Sequence, residues 1–501
     1  MFVRLADLTF SYSDSVPILD CVSIQLAPGW TGVVGRNGAG KTTLMRLITG
    51  ALAPSAGHVR FDPPGARVQL CPQTVETITD EIATFAAAAD GVSRRIQGEL
   101  RLDAGDLSRW PTLSPGERRR WQVGAALAGE PGVLILDEPT DHLDADAREL
   151  LGGALSRFSG VGIVVSHDRA LLDSLTAYTI RVHEGTARLW RGGYTIAKQS
   201  WEAEEREHHA KYERLKHQRN VLARRLADKR RLAQSAEAEW NAGARLRMKG
   251  PRDHDATSML ARGRAEMASR RISRDAGVLR RSVDRVAERI EEFHFRKEKG
   301  RSIFIDYRPA PASRLFVLDA PVIMAGPAPL LTDVHLVVTR ESRVRVAGPN
   351  GIGKSTLLKA MLASARIPAE RMLYLPQELT IEDGARLLDW VRELGAAERS
   401  RVLTMAAALG ADPERVLESH SPSPGEARKL ALAYGLGRRV WAAVLDEPTN
   451  HLDIPAIERL EDALAAYPGA LVIVTHDDPL AHRCTNVEWR LENSRIEARS
   501  T

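Results

Sequence analysis

The sequence predicts an α/β chain in which two tandem copies of one strand–loop–helix module are joined by a long antiparallel α-helical hairpin. Three observations predict it. Four motifs occur twice in the same order. In each copy the first motif is a glycine-rich loop set between an apolar strand and a helix-periodic segment. The stretch between the copies holds two long proline-free runs rich in Ala, Arg, Glu and Leu.

The repeat is explicit. GRNGAGKTT, Gly35 to Thr43, returns as GPNGIGKST, Gly348 to Thr356, and LSPGE at 113–117 returns as PSPGE at 422–426. LILDEPTDHLD at 134–144 pairs with AVLDEPTNHLD at 443–453, and IVVSHD at 163–168 with VIVTHD at 472–477. From the second motif onward the offset is a constant 309 residues, as in Ser114 and Ser423 or His167 and His476. Domains are therefore expected at 1–194 and 301–501, with the linker at 195–300.

Composition sets the outer limits. A chain of 501 residues with 44% hydrophobic content has room for about three packed domains. No run of about 18 apolar residues is present to span a membrane, and the start, MFVRLADLTF, lacks the pattern of a secretory signal, so a cytoplasmic location is expected. Cys21, Cys71 and Cys484 lack metal-ligand or C-x-x-C spacing, which points away from zinc and redox chemistry. The formal charge is only +5, yet residues 198–300 carry 27 Lys+Arg against 17 Asp+Glu, so the middle nets +10 and the rest −5. An anionic partner is expected there.

Each copy opens with a phosphate cradle. The pattern G-x-x-x-x-G-K-[ST] sets Gly35, Asn37, Gly38 and Gly40, and again Gly348, Asn350, Gly351 and Gly353, where backbone N–H groups approach phosphate oxygens. Lys41 and Lys354 are aimed at the β and γ phosphates, Thr42 and Ser355 at Mg²⁺, with Thr43 and Thr356 beside them. The flanking strand and helix bring the anion to a helix N-terminus. In the acidic motif a buried apolar strand ends in paired carboxylates at the carboxyl edge of a sheet, where open α/β folds bind ligands. Asp137 and Asp446 are expected to hold Mg²⁺, and Glu138 and Glu447 to polarise the attacking water. His167 and His476 close the next strands, within reach of the γ-phosphate.

Ser114-Pro-Gly-Glu117 and Ser423-Pro-Gly-Glu426 read locally as helix starts: Ser caps, Pro takes the first turn and Glu closes a capping box. Local structure does not explain why both lie at one distance before the acidic strand. Together these motifs closely resemble those of ATP-binding cassettes, with Gln73 and Gln377 in the glutamine loops and Asp144 and Asp453 in the D-loops. The resemblance covers both halves and implies two tandem ABC-type P-loop ATPase domains that use ATP and Mg²⁺, with Gln73 and Gln377 also on the metal. It implies head-to-tail docking within one chain, as a monomer. Site one then joins Lys41, Gln73, Glu138 and His167 to Ser423, Gly425 and Glu426; site two joins Lys354, Gln377, Glu447 and His476 to Ser114, Gly116 and Glu117. The signature reads S-P-G-E where transporters usually have S-G-G-Q. Tyr12 stands where an aromatic usually stacks on adenine, whereas the second half offers Met324.

The linker carries two helical runs, from about Thr195 to Ala238 and from about Thr257 to Lys299, each about 65 Å long at 1.5 Å per residue. Leu215, Leu222, Leu226 and Ala233 on the first, with Ile272, Leu279, Val283, Val286, Ile290 and Phe293 on the second, recur at coiled-coil spacings. The reversal is expected at residues 240–254 within a tip at about 240–258, with Gly243, Gly250 and Pro251 turning the chain. A run of arginines also fits a solvated helix face. Residues 211–231, however, hold nine Lys+Arg against only Glu213 and Asp228, more than intrahelical pairing needs and suited to an RNA backbone.

Twin cassettes joined by such a hairpin resemble the ABC-F proteins, which act on the ribosome. That resemblance implies a hairpin inserted at the tRNA exit site, against 23S rRNA and initiator or peptidyl-tRNA. Its tip would point toward the peptidyl-transferase centre, with Trp240, Arg245, Leu246, Arg247, Met248, Lys249 and Arg252 at the rRNA or drug site. The K-G-P-R-D-H-D run looks like the resistance branch, whose members protect ribosomes from antibiotics. A drug-independent translation factor of the same architecture is the alternative, and a cassette pair serving a membrane transporter is disfavoured by the long hairpin.

Overall fold

The computed structural model describes residues 1–12, 17–246, 255–291, 304, 307–419 and 421–500. They divide into two compact units, Met1–Ala197 with Lys299–Thr501, and Lys198–Glu298.

The first unit holds both modules, each built on a six-stranded sheet. In the first, the spatial order is Val68–Cys71, Val133–Asp137, Val161–Val165, Gly29–Gly35, Thr176–His183 and Thr186–Arg191. In the second it is Met372–Leu375, Ala442–Asp446, Ala470–Val474, Arg343–Ala347, Val487–Glu492 and Arg495–Ser500. Five strands run parallel and the last is antiparallel in both. The strands carrying the acidic and histidine motifs are central, and their unbroken apolar runs, VLIL and VGIVV, are buried on both faces, as covered parallel strands require.

An antiparallel layer packs over each sheet. Phe2–Phe10 pairs with Leu19–Leu26 and Ala56–Asp62 in the first module, and Arg314–Ala325 with Ala328–Thr339 in the second. Val3, Leu5, Leu8 and Leu19 of this layer share one core with Leu44, Leu47 and Ile48 of the cradle helix and Ile135 and Ile163 of the sheet. Each such side chain contributes about 1.5–3 kcal/mol on burial, so the cradle helix is held from both sides.

The linker is two helices, Tyr194–Leu246 and Asp255–Glu291. In the second unit the expected seam is formed: Leu215, Leu226 and Val286 are buried, and Leu222, Ala233, Ile272, Leu279, Val283 and Ile290 are half-buried. Lys229 donates to Asp275 at 3.4 Å between the helices. Arg224, Arg225, Arg230 and Arg231 are exposed. The first helix outruns its expected end at Ala238 and continues through Trp240, Gly243 and Arg245 to Leu246. Gly243 therefore takes no part in the reversal. One interior glycine costs a helix only about 1 kcal/mol relative to alanine, and the alanines around it offset that. Gly250, Pro251, Arg247, Met248, Lys249, Arg252 and Phe293 lie outside the described residues.

Candidate active sites

Each cradle helix, Lys41–Ile48 and Lys354–Ala363, begins directly after a glycine in the left-handed region, Gly40 at φ 105° and Gly353 at φ 103°. A side chain there would be strained, and at Gly40 it would also meet Ile18 at 2.8 Å. The lysines fold back onto their own loops: Lys41 Nζ donates to the carbonyls of Gly35 at 2.8 Å and Arg36 at 3.2 Å, and Lys354 Nζ to Gly348 at 2.6 Å and Pro349 at 3.1 Å. Burial lowers the pKa of both, against the opposing pull of Glu138 on Lys41 and Glu447 on Lys354.

The carboxylates converge on these loops. Ser355 Oγ donates to Asp446 Oδ2 at 2.6 Å, so the hydroxyl and carboxylate expected on Mg²⁺ meet at one point in the second module. Gln73, by contrast, donates its amide to Asp141 at 2.9 Å. Glu138 and Glu447 follow the strand ends in left-handed backbone, φ 48° and 45°, and are almost fully buried. The backbone N–H of His167 donates to Glu138 Oε2 at 2.9 Å, while its Nε2 lies 3.0 Å from Oε1 without hydrogen-bonding alignment; His476 Nε2 lies 3.4 Å from Glu447 Oε1. Oε1 of each glutamate is thus a buried acceptor that no donor among the described residues satisfies. Burial raises Glu447 to about 7 and Glu138 well above the usual carboxylate value, and it lowers both histidines to about 3.

Ser114 and Ser423 cap Pro115–Ala128 and Pro424–Gly437 with complete capping boxes. Each hydroxyl donates to its own glutamate, Ser114 to Glu117 at 2.8 Å and Ser423 to Glu426 at 2.7 Å. The two modules meet through these motifs. Asn37 of the first cradle donates its backbone N–H to Asp453 at 2.8 Å and its side-chain amide to the His451 carbonyl at 3.1 Å. Asn350 of the second makes the matching contacts with Asp144 at 3.3 Å and the His142 carbonyl at 3.1 Å. A methyl group at Gly425 would come within 2.7 Å of the His451 carbonyl, and one at Gly116 within 3.0 Å of the His142 carbonyl. On both sides the cradle is therefore bonded to the opposing D-loop, against which that cassette's signature glycine packs. Tyr12 is 60% exposed beside the first cradle, its hydroxyl 3.4 Å from Thr43 Oγ1 and its ring edge-on to Phe10; Met324 is exposed in the second module.

The family model described as ABC transporter matches residues 19–141 and 331–450. The tylosin resistance ATP-binding protein TlrC of Streptomyces fradiae is 31% identical over 98% of this chain and 97% of its own length, and the ABC transporter F family member 5 of Arabidopsis thaliana is 26% identical over 99% of this chain and 75% of its own. The chain belongs to the ABC-F family. Its cassettes bind ATP and hydrolyse it to ADP and phosphate. A solved archaeal ribosome recycling factor, aABCE1 in complex with ribosomal stalk protein aP1, shares the fold with a TM-score of 0.60 at 18% identity, covering 98% of this chain and 89% of that one. No helix among the described residues of this ABC-F protein is long and apolar enough to cross a membrane.

Sequence reasoning passed over one pair of residues in the ABC-F cassettes. Arg119 and Arg428, one turn into the signature helices, are 3% and 1% exposed and form no ion pair with a carboxylate among the described residues. Arg119 donates to the carbonyls of Pro72 and Asp137, and Arg428 to those of Gln377 and Glu447. Each guanidinium ties the glutamine loop to the end of the acidic strand. The signal available was their recurrence at the 309-residue offset within otherwise variable charged runs, RRR and ARK.

Proposed function

We propose that this ABC-F ATPase binds the ribosome, inserts its interdomain hairpin at the tRNA exit site and protects the ribosome from antibiotics bound near the peptidyl-transferase centre. The observation that carries the reading is the pair of helices between the cassettes, 53 and 37 residues long, with an exposed basic face on an apolar seam. Such a face suits a phosphate backbone, since a helix pair needs no such excess of cations for its own stability. The resistance named for TlrC and the ribosomal context named for aABCE1 support the same direction.

In the proposed cycle the cradle amides and Lys41 or Lys354 bind the triphosphate, and Ser423 or Ser114 completes the site from the opposite cassette. Thr42 with Asp137, and Ser355 with Asp446, would hold Mg²⁺ beside Gln73 and Gln377; hard oxygen donors of this kind fit it, and it supplies charge neutralisation at the β and γ phosphates. Glu138 and Glu447 orient the attacking water through the buried Oε1, and His167 and His476 contact the γ-phosphate. Sealing by closure links nucleotide state to ribosome engagement in the cytoplasm.

The test is a susceptibility panel over macrolides, lincosamides, streptogramins and pleuromutilins in a host expressing the gene, beside an empty vector and a variant with residues 247–254 replaced by a Gly-Ser link. Protection by the native chain and its loss in the variant, with ribosome co-sedimentation retained, is expected. Co-sedimentation without protection against any drug would favour the translation-factor alternative.

A further inference from the structure

The two cassettes face each other symmetrically through Asn37 and Asn350, yet beside the histidine loops the symmetry is broken. Arg148 lies on the helix Ala145–Leu155 that follows the first D-loop. Its Nη1 donates to the backbone carbonyl of His476, in the opposite cassette, at 3.2 Å and lies 3.4 Å from Asp168 Oδ2, next to His167; its Nε donates to the Leu143 carbonyl at 3.1 Å. One guanidinium thus touches its own D-loop, its own histidine loop and the histidine loop across the interface. Arg169 adds a second bond in the same direction, to Asp477 at 3.1 Å and to the buried Glu461.

The equivalent positions in the second cassette, 309 residues on, are Ile457 for Arg148 and Asp478 for Arg169, and Glu461 itself corresponds to Gly152. Ile457 is buried and can donate no hydrogen bond to the His167 carbonyl. Asp478 is exposed and accepts from its own Arg345 at 2.7 Å. Arg148 and Arg169 thus both belong to the first cassette, and the groups they reach across the interface, the His476 carbonyl, Asp477 and Glu461, to the second.

We propose that Arg148 is a positioning residue acting in trans on site two, the site of Lys354, Glu447 and His476, and that it makes the two ATP sites unequal. By holding the His476 carbonyl it fixes the strand end from which the imidazole reaches toward Glu447 and the γ-phosphate. By holding Asp168 with the same guanidinium it makes the ordering of that loop depend on closure around site one's histidine loop. At the equivalent position facing site one stands Ile457, which cannot make the reciprocal bond.

The proposal rests on the assignment of Glu138 and Glu447 as the residues that orient water, and the test separates the two. Full-length protein carrying Glu138→Gln leaves site two to hydrolyse, and Glu447→Gln leaves site one. In each background Arg148→Ile and Arg148→Lys are compared by phosphate formed in the first turnover, over a range of ATP concentrations. In the Glu138→Gln background Arg148→Ile is expected to slow the first turnover by about tenfold, with the ATP concentration for half-maximal rate moving less than about twofold, since lost positioning acts on the chemical step. Arg148→Lys, which keeps one charged donor, should recover most of that rate. In the Glu447→Gln background the loss should be several times smaller. Equal losses in both backgrounds, or none at site two, would overturn the proposal. Backgrounds that kept native turnover would refute the glutamate assignment, and the proposal with it.

Discussion

The backbone N–H of Asn37 donates to Asp453 Oδ2 at 2.8 Å across the two cassettes, while Oδ1 of the same carboxylate accepts from Ala456 to cap the helix Ile454–Ala466. One residue thus starts a helix in the second cassette and grips the phosphate loop of the first.

Asp453→Asn separates these duties. Asparagine caps a helix about as well as aspartate, but its amide nitrogen or a neutral oxygen replaces the charged acceptor facing Asn37. Charge-assisted bonds are worth about 1.5–3 kcal/mol, so cassette closure should weaken by roughly ten- to a hundredfold with the fold intact. Steady-state ATPase and circular dichroism measured together check this.

The same carboxylate sets a pH dependence. Burial pushes Asp453 upward, but Lys429 and the N–H groups of Asn37 and Ala456 outweigh it and hold its pKa below the ordinary aspartate value. The contact is therefore complete above the ordinary value and is lost only as pH falls through the lowered one. In protein carrying Glu138→Gln and Glu447→Gln, which removes the two raised carboxylates, closure followed by nucleotide trapping should hold constant from neutral pH down to the carboxylate range. A decline already centred near pH 6 would assign the dependence to another group.

Changing Glu138 and Glu447 together to Gln should leave ATP binding intact, stop hydrolysis and accumulate the closed state. Ribosome pelleting in ATP and in ADP gives the readout, with tighter binding in ATP expected. Equal binding in the two nucleotides would break the proposed link between closure and ribosome engagement.

Arg119→Lys and Arg428→Lys keep the charge but lose the fork that spans two carbonyls. At least one buried carbonyl is then left without its donor, at a cost of about 1–3 kcal/mol. A lower melting midpoint and a fall in turnover larger than the change in ATP affinity are expected at each position. An unchanged turnover would leave these arginines with a packing role alone.

Replacing Arg224, Arg225, Arg230 and Arg231 with Gln should weaken ribosome binding and flatten its salt dependence, because each phosphate contact adds about 0.7–0.9 to the slope. An unchanged slope would return these side chains to a merely solvated face.

Much of this was legible in the sequence because the chemistry sits in contiguous motifs. Phosphate loops, acidic strand ends and capped signature helices need fixed residue types at fixed spacing, and the repeat supplied each one twice. The helical seam was legible for the same reason, through periodicity. The end of the first linker helix was not, because Gly243 reads as a breaker while its cost is small beside the surrounding alanines. Arg119, Arg428, Arg148 and Arg169 were not legible either. Their partners are backbone carbonyls or residues hundreds of positions away, and only the packed fold brings them together.

Covalent fusion of the cassettes has a genetic consequence. In a dimer of identical subunits every interface contact occurs twice, so a residue placed for one active site is imposed on the other. In such a dimer an arginine equivalent to Arg148, or an aspartate equivalent to Asp478, would recur at the second site. Here each copy occupies its own codons, and the matched positions differ: Arg148, which reaches His476, is matched by Ile457, and Arg169, which reaches Asp477, by Asp478. Substitutions at matched positions in the two halves should accordingly give different phenotypes, and exchanging the two cassettes in the gene should not regenerate the native enzyme.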